Sequence, residues 1–361
     1  MRPEENKADR LIWVDCLRGF LILLVVAGHA SSPYNTYIYT FHVAAFFILS
    51  GFTRSLNRAK SLDLVIKRFF SLLLPYYVLN ILFFSFYSFS FRMGLHSFLF
   101  GPAQPIPFFE RLNIFLVSPQ STTGLAGPLW FILVLFIAEF IFSILQFLCR
   151  VTNAPKDIEI PVAFCLGVVG LPLTGNPYFS RWAIDLGLHA LIYFSIGLAF
   201  QRWHVIKCID FKSMVPFALI VVVFFGSFYS WEGAAMNWPT RRFVHIPQEL
   251  FMVISAFILL YWLILLLMKS APIKKFLNLM GQHTFSIFVW HFLAFKLISV
   301  LFAFFGFVEK SVIINDVPLG LAGNWWLVYT SIGISLCLLL SSIAKKIPFL
   351  NWIINGQTKP N

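Results

Sequence analysis

The chain has 361 residues and a formal net charge of +12, yet only 12% of its residues are charged, while 59% are hydrophobic and 44 are phenylalanine. At a mean hydropathy of +0.81 it carries more apolar surface than a soluble core needs, which excludes a soluble globular domain and leaves a multi-pass membrane protein. A basic balance often points to nucleic acid, but inner-leaflet charge bias accounts for it here, so membrane lipids are expected as partners and nucleic acid is not.

Apolar runs of about 17 to 25 residues, long enough to cross a bilayer as helices, predict an all-α integral membrane fold with about ten transmembrane helices. In chain order they cover roughly 11–30, 37–53, 68–90, 128–148, 158–174, 183–201, 214–229, 248–268, 283–305 and 325–343, the fifth and seventh being short. The whole of 1–361 reads as one transmembrane domain with no soluble module. With the amino terminus inside, nineteen of the 27 lysines and arginines fall on inner segments. Only Arg92, Arg111, Arg181, Arg241, Arg242 and Lys310 fall on outer ones, and Arg18 and Lys296 lie within spans. This asymmetry predicts that both termini are cytoplasmic. No cleavable signal is legible, so the first span is expected to stay in the mature protein. The five cysteines sit in spans or near inner ends, none is placed for an outward disulfide, and no metal-ligand spacing occurs, so no metal is expected.

The first span, LIWVDCLRGFLILLVVAGHA, contains Asp15, Arg18 and His29. On a helix the eleven-residue step from Arg18 to His29 is just over three turns, which puts both on one stripe roughly 16 Å apart along the axis. Ions near the hydrocarbon core cost a few kcal/mol each and are expected to face the protein interior and mark a site. Asp15 reads as the orienting partner of Arg18, whose alternative is a side chain snorkelling to the headgroups. The second span opens with TFHVAAFFILSGF, which places His42 level with His29. Histidine titrates near neutral pH, so His29 is suited to take a proton from a hydroxyl, with His42 as its partner. Ser50 and Gly51 close that span as a small pair permitting close helix approach. Lys67 and Arg68 stand directly against the third span, where a basic pair can meet an anionic ligand at the membrane face.

Farther along, the segment about 91–127 is rich in Pro, Gly and Ser and reads as a loop with a short amphipathic piece. Trp130 opens the fourth span and walls an acceptor site or sits in an aromatic belt. Glu139, Asp185 and His291 are further intramembrane polar residues expected to face the bundle interior. The loop SWEGAAMNWPTRRFVHIPQE, with Glu232 among its tryptophans and arginines, mixes rings with ionisable groups in the way that suits sugars, the equal alternative being an interfacial aromatic belt. Trp130, Glu232 and Asp185 are therefore the candidate acceptor-side residues.

Five segments in order resemble the motifs of the membrane acyltransferase 3 family. They are DCLRGFLILLVVAGHA, FHVAAFFILSGF, KRFFSLLLPYY, GPLWFILVLF and FSIFVWH. The resemblance implies a ten-helix membrane enzyme that moves an acyl group, usually acetyl, from cytoplasmic acyl-CoA to a hydroxyl on an envelope or secreted glycan. Carried over by position, His29 would be the catalytic histidine, Arg18 would help engage the donor, and Arg68 would belong to the donor-binding basic motif. The pattern looks most like the sugar O-acetyltransferase branch. Two departures stand out: Ser71 where a second arginine is common, and Phe288 where an aromatic hydroxyl is common.

These readings combine into one expectation. Acetyl-CoA docks near Lys67 and Arg68, its arm runs past Arg18 to His29, and a carbohydrate hydroxyl, lipid-linked or free, arrives from outside. The implied location is a bacterial inner (plasma) membrane. Two rivals remain: a transporter or exporter using Asp15, Arg18 and His29 as a polar path, and an acyltransferase acting on a lipid or peptide or using succinyl-CoA. No internal repeat is evident, which weakens the transporter.

Overall fold

The computed structural model describes residues 7–102, 106–120, 124–205, 235–243, 246–318 and 325–355. Among these residues the fold is all-helical, and eight segments are long and apolar enough to cross a membrane: Ile12–His29, Asn35–Thr53, Ser61–Arg92, Gly124–Val151, Ile184–Arg202, Ile246–Leu267, Thr284–Phe304 and Trp325–Ala344. Eight of the ten predicted spans thus recur with shifted ends. The fifth, 158–174, is a shorter apolar helix, Glu159–Leu173. Its α-helical part stops at Gly170 before a 3₁₀ turn carrying Pro172, so it falls short of the ~30 Å hydrocarbon core. The seventh, 214–229, lies outside the described residues.

Two helices are more broken than their apolar runs suggested. The second span is a short helix, Asn35–Tyr39, followed after Thr40 and Phe41 by α2, His42–Thr53; the first span, Lys7–His29, is α1. The third begins earlier than predicted, with the amphipathic α3, Ser61–Arg68. A single π-helical stretch, Phe69–Leu73, then leads into α4, Leu74–Arg92, which has Pro75 in its first turn. Proline lacks the N–H that would continue the ladder, and a widened turn before it absorbs the missing bond. Such π turns recur at functional sites.

The bundle is held by glycine contacts that let backbones touch. Gly51 of α2 lies so close to Phe194 that a Cβ would overlap its carbonyl, and Gly197 meets Ile48 in the same way. Phe194 and Gly197 belong to α6, Ile184–Arg202, the fourth span being α5, Trp130–Val151. A matching pair, Gly19 against Leu277 and Gly281 against Asp15, locks α1 to the helix Ala271–Gln282. Small residues at such crossings allow close van der Waals packing where the hydrophobic effect between helices is absent. The second crossing also fixes the Asp15 backbone, and the first fixes the α2 end that carries Thr53 and Arg54.

Candidate active site

The polar groups of α1 gather at two ends of the bundle. At one end Arg18 Nη1 meets Asp15 Oδ1 at 3.2 Å on the same helix face, and Arg18 Nη2 donates to Thr53 Oγ1 at 3.4 Å. The next residue, Arg54, caps α2 in an extended conformation and is 1% exposed. Its Nη2 donates to Ser143 Oγ at 2.6 Å and to Gln146 Oε1 at 3.5 Å. Its Nε lies 3.5 Å from Glu139 Oε2, while the other carboxylate oxygen lies 2.9 Å from Arg68 Nη2. One buried carboxylate is therefore shared by two guanidiniums, and Arg68 is also within electrostatic range of Arg18. Lys67, beside Arg68, is exposed.

Two arginines against one glutamate leave this cluster with an excess positive charge. Each ion drawn from water costs several kcal/mol even after relaxation, so an anionic ligand would relieve it. Charge-assisted hydrogen bonds from guanidinium to phosphate or carboxylate are the strong ones.

At the other end, α1 stops at His29, and the tight turn after it places Ser31 in a left-handed conformation (φ 61°). His29 is half-buried. Its Nδ1 lies 3.2 Å from the Tyr39 hydroxyl, its ring is 5.3 Å from that of His291, and Phe292 stands edge-on to it at 5.0 Å. When Nδ1 donates to the phenol oxygen, Nε2 carries the lone pair a general base needs. His42 does not meet His29 directly; Tyr39 lies between, its ring 5.0 Å from His42. His42 Nδ1 donates to the Ile38 carbonyl at 2.7 Å. His291, on α9, Thr284–Phe304 (α7 being Ile246–Leu267 and α8 Ala271–Gln282), donates from Nδ1 to Phe288 O at 2.8 Å. Because carbonyls only accept, both imidazoles are fixed in the tautomer that leaves Nε2 as an acceptor. His291 Nε2 is buried without a hydrogen-bond partner among the described residues.

An aromatic cluster leads away from His291, beginning with Phe288 at 6.1 Å. Phe288 packs 5.6 Å from Phe131, so the position lacking a hydroxyl serves as an apolar wall. Trp130 is half-buried and lies parallel to Trp238 at 6.4 Å. The 235–243 segment is tied to this end, since Met236 N donates to Tyr39 O at 3.1 Å. Asp185 is not brought to His29: its carboxylate is taken by Arg241, at 2.5 Å from Nε, and by the Gly175 N–H at 3.0 Å. Glu232 lies outside the described residues.

Sequence reasoning singled out neither Tyr39 nor Arg54. The signals were slight: a tyrosine one turn before His42, and a basic residue placed directly on the end of an apolar run. A buried Glu249 that accepts from His189 Nε2 at 2.7 Å and from the Tyr193 hydroxyl was likewise missed; both partners sit on α6, in runs with no motif.

A family model described as an acyltransferase domain matches residues 11–353. No curated protein and no solved structure matches the chain. The family match spans nearly all of the helical bundle and both of its polar ends: the chain belongs to the acyltransferase 3 family and is a multi-pass membrane acyltransferase.

Proposed function

We propose that the protein is an O-acyltransferase of the sugar branch, moving acetyl from cytoplasmic acetyl-CoA to a hydroxyl of an envelope or secreted glycan. The observation that carries this reading is the arrangement of α1, with an oriented imidazole at one end and a cationic cluster at the other. Arg18 and Arg68, with Lys67 beside them, receive the donor on the cytoplasmic side. The roughly 16 Å of helix between Arg18 and His29 suits an extended pantetheine arm. His29 Nε2 takes the proton of the acceptor hydroxyl, whose oxygen attacks the thioester carbonyl. The carbon–sulfur bond then breaks, and the leaving thiolate recovers the proton from the imidazolium. In a two-step variant His29 itself carries the acetyl group between donor and acceptor. His42, through Tyr39, and Asp15 act as orienting partners, while Trp130 lines the acceptor side with the 235–243 segment, which Asp185 anchors through Arg241, and Glu232 is the further acceptor-side candidate.

Both termini are then cytoplasmic, the orientation that the basic-residue asymmetry favours, and the membrane is the bacterial inner membrane. Mass analysis of surface glycans from cells with and without the protein tests the proposal. Acetyl groups present only with the protein are the expected result. Unaltered glycans would overturn the glycan acceptor, solute flux by the purified protein without acyl-CoA would favour a transporter, and a succinyl mark or a modified lipid or peptide would reassign donor or acceptor.

A further inference from the structure

Glu139 is buried to 1% exposure, yet neither of its oxygens makes a hydrogen bond among the described residues. It is held by charge alone, 2.9 Å from Arg68 and 3.5 Å from Arg54, without the alignment that strengthens such contacts. The two arginines differ in access. Arg68 has a third of its side chain exposed, whereas Arg54 is sealed. Arg54 also holds bonding capacity in reserve, because its Nε and Nη1 are buried with no hydrogen-bond partner. The Nε of Arg68 and the hydroxyl of Ser71, on the π turn, are unpartnered as well.

Buried charges are normally paired and hydrogen-bonded, so a carboxylate suspended between two cations with spare donors is built to occupy more than one position. We propose that Glu139 is a resident counter-anion that gives up Arg68 to a phosphate of the incoming acyl donor and withdraws onto Arg54. In the empty protein the carboxylate holds Arg68 in place. When a phosphate takes Arg68, the N–H groups of Arg54 that lack a hydrogen bond donate to the Glu139 carboxylate, and charge balance is kept on both sides. On product release the carboxylate returns and helps expel the anion. Arg54 and Glu139 are thus positioning residues, acting on the donor through Arg68. The inference rests on the acyl-CoA reading above, while its ligand chemistry, a phosphate ester, is shared with an anionic lipid headgroup.

The test uses the full-length protein in nanodiscs of phosphatidylcholine, with and without phosphatidylglycerol, and two donors: acetyl-CoA, and S-acetylpantetheine, which has the same thioester and no phosphate. Glu139→Gln should lower the KM for acetyl-CoA at least threefold and also lower kcat, because the product leaves slowly. Arg54→Gln, which traps Glu139 on Arg68, should raise that KM at least tenfold. The paired Arg54→Gln/Glu139→Gln protein, whose buried charge remains balanced, should return to the wild-type KM or below. None of these changes should alter the kinetics with S-acetylpantetheine. Equal effects on both donors, or failure of Glu139→Gln to suppress Arg54→Gln, would show that the pair is only structural and overturn the proposal. Effects that appear only with phosphatidylglycerol would give the site to a lipid headgroup and likewise overturn it for the donor. If wild-type protein transfers from neither donor, the functional reading fails instead, and equilibrium binding of CoA to the same variants, with the same ordering expected, still decides the role of Glu139.

Discussion

Lys296 and Arg54 are both cations buried among membrane-spanning helices, 3% and 1% exposed, and the protein treats them in opposite ways. Lys296 Nζ donates to the carbonyls of Leu99, Ile313 and Asn315 at 2.9, 2.7 and 2.9 Å, with Asp316 at 3.7 Å and the Phe100 ring at 4.9 Å. An ammonium has three protons, and each has an acceptor. Arg54 leaves two nitrogens without a hydrogen bond among the described residues and shares its carboxylate with a half-open neighbour. A saturated ion ties elements together; an unsaturated one beside an accessible cation is available for exchange. Lys296 is thus saturated by the elements it joins, and the Arg54 end is the one the proposed function uses.

Substitutions can break that contrast or sharpen it. The largest effect belongs to the chemistry that the cationic end is proposed to serve: His29→Ala removes the proposed base, and acetyl transfer should fall by about 10²-fold or more in assays of purified protein. Next, Lys296→Met leaves buried carbonyls and the Asp316 carboxylate without their cation. Each hydrogen bond from the buried ammonium to a carbonyl is worth about 1.5–3 kcal/mol, so the thermal unfolding midpoint should drop sharply while the KM for acetyl-CoA of the folded fraction stays unchanged. A donor-specific defect without loss of stability would erase the distinction. Arg18→Ala loses charged hydrogen bonds worth about 1.5–3 kcal/mol, which should raise the KM for acetyl-CoA by roughly ten- to a hundredfold; an unchanged dependence on donor concentration would remove Arg18 from the donor path. The smallest change is Tyr39→Phe. One hydrogen bond of about 0.5–1.5 kcal/mol is lost, so kcat should fall several-fold with KM retained, and an unaltered kcat would show that the phenol does not orient His29.

Most spans were legible because a bilayer imposes length and polarity on a helix, whatever its neighbours. Glu159–Gly170 shows the limit: an apolar run can be continuous while proline and glycine cut its helix short. Asp15, Arg18 and His29 were legible as a group because one helix carries all three, and their spacing fixes their relation. The pairing of Arg54 with Glu139 was not, since two different spans supply them and only the packing of α2, α3 and α5 brings them together. Asp185 showed its burial in the sequence but not its use, because Arg241, the residue that occupies it, arrives from a distant loop. Tyr39 was one of eleven tyrosines in an aromatic-rich chain, with nothing local to set it apart.

Under the proposed function the work divides along α1, with donor capture at the Arg18 end and proton transfer at His29, and one measurement addresses that division directly. His29→Ala protein in nanodiscs would be titrated with acetyl-CoA at equilibrium and then assayed for single-turnover transfer to a glycan acceptor. The account predicts wild-type donor affinity with transfer lost. Transfer at the wild-type rate would contradict it.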